Sequence, residues 1–452
     1  HQMRWDPRDP WNPAADRLVL SEGHAVPIIY AAYADLGGVI GKSKAEARPM
    51  TRADALSLRA IDSPIDGHPH PQCGFPFFDA ATGSLGQGLS VAAGLGAAAR
   101  MDKLDRNIYC IIGDGESREG QIWEALDFII DHALTNVVPI FNCNELAQSN
   151  WVSPQQSHET LARKLEAFGF IVRDIDGHNP KEIQRALEEL PMIQGGSKPL
   201  AIVARTVKGW GAKDEQGMGK HGTPVKKDKM AEILHDLEET GKALIKVVDP
   251  FADGEMKIPP ITSTAPARTA GPIKLPGLLD GLEMVGLRKD FEAGKGIAPR
   301  RAYGAALVAL GAADKRIVAL DADVKNSTFA EWFAKKFPEQ YLECRIAEQN
   351  MYSAAAGLAA AGKIPFTSTF AKFVMRGYDQ IEMAIISGAN IKVTGSHAGV
   401  TLAADGPSQM SLPDVAFFRS FCHVKNFNGP PAVRYLFPAD AVSCYRCTEL
   451  MA

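Results

Sequence analysis

The chain has few cysteines, little net charge and no long apolar run. Seven cysteines in 452 residues are too few and too scattered for a disulfide framework. Cys110, Cys143 and Cys344 lie in or beside apolar runs, which suits reduced, buried thiols and a cytoplasmic setting. Cys444 and Cys447 form a C-x-x-C without a second pair, and their helix-like context points to packing rather than redox work. A formal net charge of −4 gives no basic footprint for nucleic acid. No apolar run reaches the roughly 18 residues that a membrane span needs. The length allows two or three domains with ample core.

What is present is organised around Gly113-Asp114-Gly115. The run Ile108 to Ile112 is short, β-branched and stopped by glycine, as in a buried parallel strand. Ile122, Leu126 and Ile129 follow at helical spacing, and Val137 to Phe141 reads as a second buried strand. This is a βαβ unit, and ligands of such sheets bind beyond the carboxyl ends of the strands. Asp114 and Asn144 stand there, one after each strand. A carboxylate and an amide, with no thiolate or imidazole, suit a hard cation such as Mg²⁺ or Ca²⁺ and leave positions for phosphate oxygens. Gly115 removes a side chain where a ligand passes close to backbone. A plain strand-end turn carries the same Gly-Asp-Gly, so the pairing with Asn144 is what points to a metal–diphosphate anchor. Gly83 to Gly88 opens an alanine-rich helix, Leu89 to Met101, whose amino end favours anions, although close helix packing reads the same way. Five glycines between 209 and 222 make the segment around Lys208 and His221 lid-like.

Gly-Asp-Gly followed by Asn144 resembles the thiamine diphosphate motif. Ser21-Glu-Gly-His24, Asp66-Gly-His68-Pro, Ala81-Thr-Gly-Ser-Leu-Gly-Gln-Gly-Leu89, Ile346-Ala-Glu348-Gln-Asn-Met351 and Asp405-Gly-Pro-Ser-Gln-Met410 follow in family order. Together they resemble the transketolase family, in its animal-like branch, from about residue 10 to the end. The resemblance implies thiamine diphosphate with Mg²⁺ or Ca²⁺ held by Asp114, Asn144 and the carbonyl of Leu146. It implies that Glu348 reaches N1′ of the aminopyrimidine and shares a proton there. From the residues alone, Glu348 is an acid at a helix start, where the dipole favours it. Phe370 and Phe373 are implied to pack the aminopyrimidine. Gly83, Ser84 and Leu85 are implied as a wall of the cofactor site, with Gly115, Glu119, Gln148 and Lys208 also touching cofactor.

His24, His68 and His221 are implied as catalytic, since histidine suits proton transfer at substrate hydroxyls near neutral pH. His24 and His221 also belong to the implied cofactor set, whereas His70 reads as surface. Arg300, Ser327 and His397 are implied to meet the substrate phosphate, and Asp405 a donor hydroxyl. Gln409 stands where microbial members carry histidine. The implied reaction moves a glycolaldehyde unit from a ketose phosphate, such as xylulose 5-phosphate, to an aldose phosphate, such as ribose 5-phosphate. The implied assembly is a homodimer with active sites at the subunit interface. Dihydroxyacetone synthase, deoxyxylulose-phosphate synthase and an impaired relative that acts by binding are the rival readings.

The expected fold is α/β, with two thiamine-diphosphate-binding-type parallel-sheet domains carrying helices on both faces. The first, diphosphate-binding domain spans 1–248. A Pro- and Gly-rich linker spans 249–297. The second, pyrimidine-binding domain spans 298–452, incomplete at its carboxyl end, with the family's third domain missing. The amino end likewise looks cut. Residues 1–20 read as irregular, residues 41–51 and 426–431 as insertions, and Thr328 to Phe337 as one helix.

Overall fold

Short, largely apolar runs build two parallel sheets in the computed structural model, which describes residues 2–247, 251–252, 255–256, 258–265, 273, 276–426 and 429–452. The first sheet contains β1 (Arg17–Leu20), β2 (Ile108–Gly113), β3 (Val137–Cys143), β4 (Ile171–Asp176) and β5 (Leu200–Arg205). Their order is β1-β2-β3-β5-β4, all parallel. The second contains β6 (Ile317–Asp321), β7 (Tyr341–Glu343), β8 (Ile364–Phe370) and β9 (Lys392–Ser396), in the order β7-β6-β8-β9. The helices that matter for the site are α1 (Gly88–Met101), α2 (Gly120–Asp131), α3 (Pro299–Ala313), α4 (Glu348–Ala360), α5 (Tyr378–Ile386) and α6 (Ala441–Met451). Among the described residues no helix is long and apolar enough to cross a membrane.

Three expectations need correction. Arg17–Leu20 is not irregular but the edge strand, paired in register with Ile108 to Ile111; four residues are too few for a period to show. The helix expected over 328–337 is two helices, Lys325–Thr328 and Ala330–Lys336, broken at Phe329 with φ +65°. Gly304 of α3 makes room for that break, since a Cβ there would stand 2.8 Å from the Phe329 Cβ. The later part of the expected linker is not a free spacer. Leu278–Met284 and Arg288–Glu292 are helical, and Leu282 and Leu287 are buried in the apolar core around α3 and α6. Tyr445 of α6 donates its hydroxyl to the carbonyls of Pro276 and Gly277 at 3.2 and 3.3 Å, tying the segment down. Residues 249–250, 253–254, 257, 266–272, 274–275 and 427–428 of the expected linker and insertion lie outside the described residues. All seven cysteines are free, and Cys110, Cys143, Cys344 and Cys444 are buried.

The two sheets share a core. α1 and α4 cross at small residues, and one apolar cluster runs from Leu89, Val91 and Leu95 into Met351, Ala354 and Leu358. A Cβ on Gly94 would overlap the Ala354 carbonyl oxygen, and one on Gly357 would overlap the Val91 carbonyl oxygen. Polar side chains stitch the same interface. Gln121 donates to Ser353 Oγ at 2.9 Å, Gln380 donates to Gln121 Oε1 at 2.8 Å, and buried Lys363 pairs with Asp102 at 2.5 Å. Buried polar groups of this kind are costly unless partnered, so they fix the register of the crossing.

Backbone-to-backbone approach of two helices leaves no room for a methyl group. Gly94→Ala should therefore destabilise the chain by about 1–3 kcal/mol in urea denaturation, despite an alanine propensity gain of up to about 1 kcal/mol. A change below about 0.5 kcal/mol would contradict this packing.

Candidate active site

The carboxyl ends of β1, β2 and β3 bring three acids into a buried pocket. Asp114, just beyond β2, is 2% exposed. Its carboxylate accepts the Gly115 N–H at 2.7 Å and the Glu145 N–H at 2.6 Å. Burial raises its pKa in spite of those bonds. The Asn144 side-chain oxygen accepts the Leu146 N–H at 3.0 Å, and Glu145 between them takes φ +62°. One turn thus carries Asn144 and Leu146 beside Asp114. Glu22 accepts from Asn142 Nδ2 at 3.0 Å. Glu116 accepts the N–H groups of Gly86 and Gly113 at 2.8 and 3.0 Å, and the Ser21 hydroxyl. Burial pushes Glu22 up to about 7, with Glu116 and Asp114 adding to the rise. Lys208 is the ammonium facing Glu22 and Asp114. Three buried carboxyl groups and the Asn144 amide make an all-oxygen donor set that fits Mg²⁺ or Ca²⁺, and a bound cation would favour their charged forms.

Imidazoles line the side of this pocket reached by Lys208. The Lys208 ammonium meets His221 Nδ1 at 2.8 Å, and the His221 ring lies 5.1 Å from that of His24. His178 stacks on Trp210 at 4.3 Å and accepts the Val207 N–H at 2.8 Å, which fixes the entry to Lys208. Desolvation, then His221, Lys208 and His68, lower His24 to about 4, although part of its ring stays open to solvent. His68 packs on Gly83, where φ is +134° and a Cβ would stand 2.8 Å from the imidazole. Gly83 is therefore demanded by the chain's own packing. Gly115 is not: its φ is −61°, and a Cβ would meet nothing nearer than 3.6 Å. Glu119 lies against Gly86, and Leu85 is exposed. Ser84 turns away to donate to Asp379 of α5 at 2.5 Å. Gln148 stands exposed two residues beyond Leu146.

A second set of side chains gathers at the ends of β6, β8 and β9. Glu348 opens α4, is 3% exposed, and pairs with Arg376 at 3.2 Å. The Arg376 guanidinium lies 5.8 Å from the Phe373 ring centre, and Phe373 stacks on Phe370 at 5.3 Å. Phe370 meets His397 at 4.4 Å. Arg300 reaches His397 Nε2 at 3.1 Å and the Ser327 carbonyl at 3.4 Å. Desolvation and Arg300 lower the His397 pKa, and Asp405 opposes them. The Gln409 N–H bonds the Gly406 carbonyl at 3.1 Å, on the loop beyond Asp405.

Among the described residues, no hydrogen bond, ion pair or ring contact joins His24, His68, Asp114, Asn144, Lys208 or His221 to Glu348, Phe370, Phe373 or His397. The two sets approach through intermediaries. Glu124 of α2 accepts the Asn350 N–H at 3.0 Å, and Gln87 joins Ser84 on Asp379 at 2.8 Å. Sequence reasoning passed over Glu22, Glu116, Arg376 and Asp379. The first two had a signal, because each stands inside a word that also carries a candidate site residue. Arg376 had none, since its role rests on a contact with Glu348 28 residues away.

Two family descriptions match this chain: "Transketolase, thiamine diphosphate binding domain" over residues 1–246 and "Transketolase, pyrimidine binding domain" over residues 295–452. The chain is 39% identical to transketolase of Homo sapiens, covering 100% of this chain and 66% of that protein. It is 38% identical to transketolase-like protein 2 of Bos taurus, with the same coverage. The chain thus spans about 66% of the length of the curated relatives it matches. Transketolase from Leishmania mexicana superimposes with a TM-score of 0.66 at 23% identity, over 92% of this chain and 65% of that one. That from Campylobacter jejuni does so at 0.68 and 23%, over 92% and 66%. At such identity these two structures establish the fold alone.

The Glu22 carboxyl gives a pH prediction. In the folded chain it stays protonated up to about pH 7, whereas an unfolded glutamate ionises near about 4.3. The folded state binds the extra proton between those values, so its stability falls as pH rises through that window. Glu22→Gln removes the effect. In divalent-free buffer the parent should lose up to about 3 kcal/mol more unfolding free energy than the variant between about pH 4.5 and 7. Parallel pH profiles would contradict the burial of this carboxyl.

Proposed function

The chain belongs to the transketolase family, and from that premise we propose that it works as a transketolase. It would move a two-carbon glycolaldehyde unit from a ketose phosphate to an aldose phosphate in the cytoplasm, within the non-oxidative pentose phosphate pathway. The observation that most supports this reading is the unbroken line of contacts from Glu348 through Arg376, Phe373, Phe370 and His397 to Arg300. One end of that line is a buried acid, the middle is aromatic, and the far end is cationic. Arg300 and His397, beside Ser327 and Asp405, suit the phosphate and a hydroxyl of a sugar phosphate. Gln409 lies on the same loop as Asp405 and would face the same substrate.

Asp114, Asn144 and the Leu146 carbonyl would hold Mg²⁺ or Ca²⁺, and the all-oxygen donor set of their pocket supports this assignment. The lack of a steric reason for glycine at 115 supports a ligand passing close to that backbone. Thiamine diphosphate, when bound, supplies the nucleophilic carbon that the transfer needs. The chain's own part is to hold and move protons. Glu348 would share one with the aminopyrimidine at N1′, and Phe370 and Phe373 would pack that ring. His24, His68 and His221 would take and return protons at substrate hydroxyls, and the depressed pKa of His24 keeps it neutral and able to accept. Lys208 would orient His221 and meet the diphosphate. Gly83, Ser84, Leu85, Glu119 and Gln148 would close the cofactor's remaining sides.

A cofactor that touches both Asp114 and Glu348 has to span two sets of side chains that, among the described residues, no hydrogen bond, ion pair or ring contact joins. We therefore place each site between two copies, the first set from one and the second from its partner, in a two-fold homodimer.

Two substitutions test the assignments. Asp114→Ala should abolish Mg²⁺-dependent thiamine diphosphate binding in calorimetry, because the diphosphate charge is left unneutralised. Parental affinity in that variant would remove Asp114 from the site. Glu348→Gln breaks its pair with Arg376, whose side chain is 59% exposed, so the fold should lose less than about 1 kcal/mol. Cofactor binding should persist while hydrogen–deuterium exchange at the thiazolium carbon collapses. Exchange at the parental rate would assign proton sharing to another group.

A further inference from the structure

The segment from Asp66 to Gly74 carries three donor groups that the site above does not use. Asp66 Oδ2 lies 3.2 Å from His70 Nδ1, and Cys73 Sγ lies 2.9 Å from the same nitrogen. The three donor atoms fall within 4.8 Å of one another. In a proton relay the thiol and the acid engage opposite ring nitrogens, so that one bond orients the other. Here both contacts fall on Nδ1, and one ring nitrogen carries at most one proton. The donors converge on a point instead of forming a line. Convergent oxygen, nitrogen and sulfur donors are the arrangement of a transition-metal site.

The backbone beneath them is stiff. Pro69 and Pro71 flank His70. The Tyr30 hydroxyl donates to the Asp66 carbonyl at 2.9 Å. Gly74 closes the turn at φ +114°, and Gln72 donates to the Ser387 carbonyl of the second domain at 3.0 Å. Burial, then Asp66, hold the Cys73 thiol above its ordinary range, while Lys42 favours the thiolate and opposes a cation; the thiol would give up its proton to solvent on binding the ion.

We infer that Asp66, His70 and Cys73 form a binding site for a zinc-like transition-metal ion, with the fourth position left to water. The thiolate and imidazole separate it by chemistry from the all-oxygen pocket at Asp114, which suits hard cations. An ion there would brace the loop that carries His68 against the second domain. This inference does not depend on the proposed transfer activity.

The test titrates the full chain, stripped of metal by chelation and resupplied with Mg²⁺, with Co²⁺. One Co²⁺ should bind per chain with a thiolate-to-cobalt charge-transfer band in the near ultraviolet. Zn²⁺ should displace it, and the thermal midpoint should rise on binding. Cys73→Ser should erase the band, and His70→Ala should weaken Co²⁺ binding by more than about tenfold. No band in the parent, a band that survives Cys73→Ser, or parental affinity in His70→Ala would each overturn the site. If Cys73→Ser fails to fold, the affinity of His70→Ala decides.

Discussion

The crossing of α1 and α4 at Gly94 and Gly357 is the constraint on which the rest of the structure depends. Glycine at both positions lets each helix press its backbone against the other. The amino ends of these two helices are the places where the candidate site begins. α1 starts at Gly88, directly after the loop of Gly83, Ser84 and Leu85, and α4 starts at Glu348. Fixing the crossing therefore fixes the glycine loop relative to the buried acid. The Gln121–Ser353 and Gln380–Gln121 bonds hold the same register. The interface is thus a packing feature and a positional one at once: it fixes the amino ends of the two helices relative to each other.

Electrostatics gives each half-site its character. In the first, burial raises the pKa of Glu22, Asp114 and Glu116 and gathers their oxygens beside the Lys208 ammonium, so a bound cation would favour the charged carboxylates. Desolvation and the neighbouring cation keep His24 and His221 neutral. Such a pocket attracts a metal ion while its imidazoles stay available as bases. In the second, Arg300 lies beside His397 in the open, and the charge is positive. A ligand with a metal-bound diphosphate at one end and a sugar phosphate near the other matches both signs.

The buried strands at the centre of the first sheet were legible in the sequence because their apolar, β-branched runs are stopped by glycine or asparagine; β2 and β3 begin where that pattern places them. β1 was not, because four residues carry no period. The break at Phe329 depends on Gly304 of another helix, and no local signal announces it. The helices after Pro276 were hidden by a proline-rich composition, yet Leu282 and Leu287 find a core when α6 comes back across them. At the site, motif words located the side chains, but they could not tell which carboxylate is clamped by backbone, as Glu116 is. Nor could they show that His70 would share a nitrogen with Asp66 and Cys73. The first relation exists only after tertiary approach, and the second only once the proline-flanked turn has formed.

The central claim is that two copies complete each other's half-sites. Mixing Asp114→Ala with Glu348→Gln, after dissociation and reassociation, tests it most directly. Thiazolium hydrogen–deuterium exchange is the readout. A shared site predicts heterodimers with one intact site of two, and recovery of up to about a quarter of the parental exchange after random mixing. If the subunits demonstrably exchange and no activity returns, each site is built within a single chain and the account is wrong.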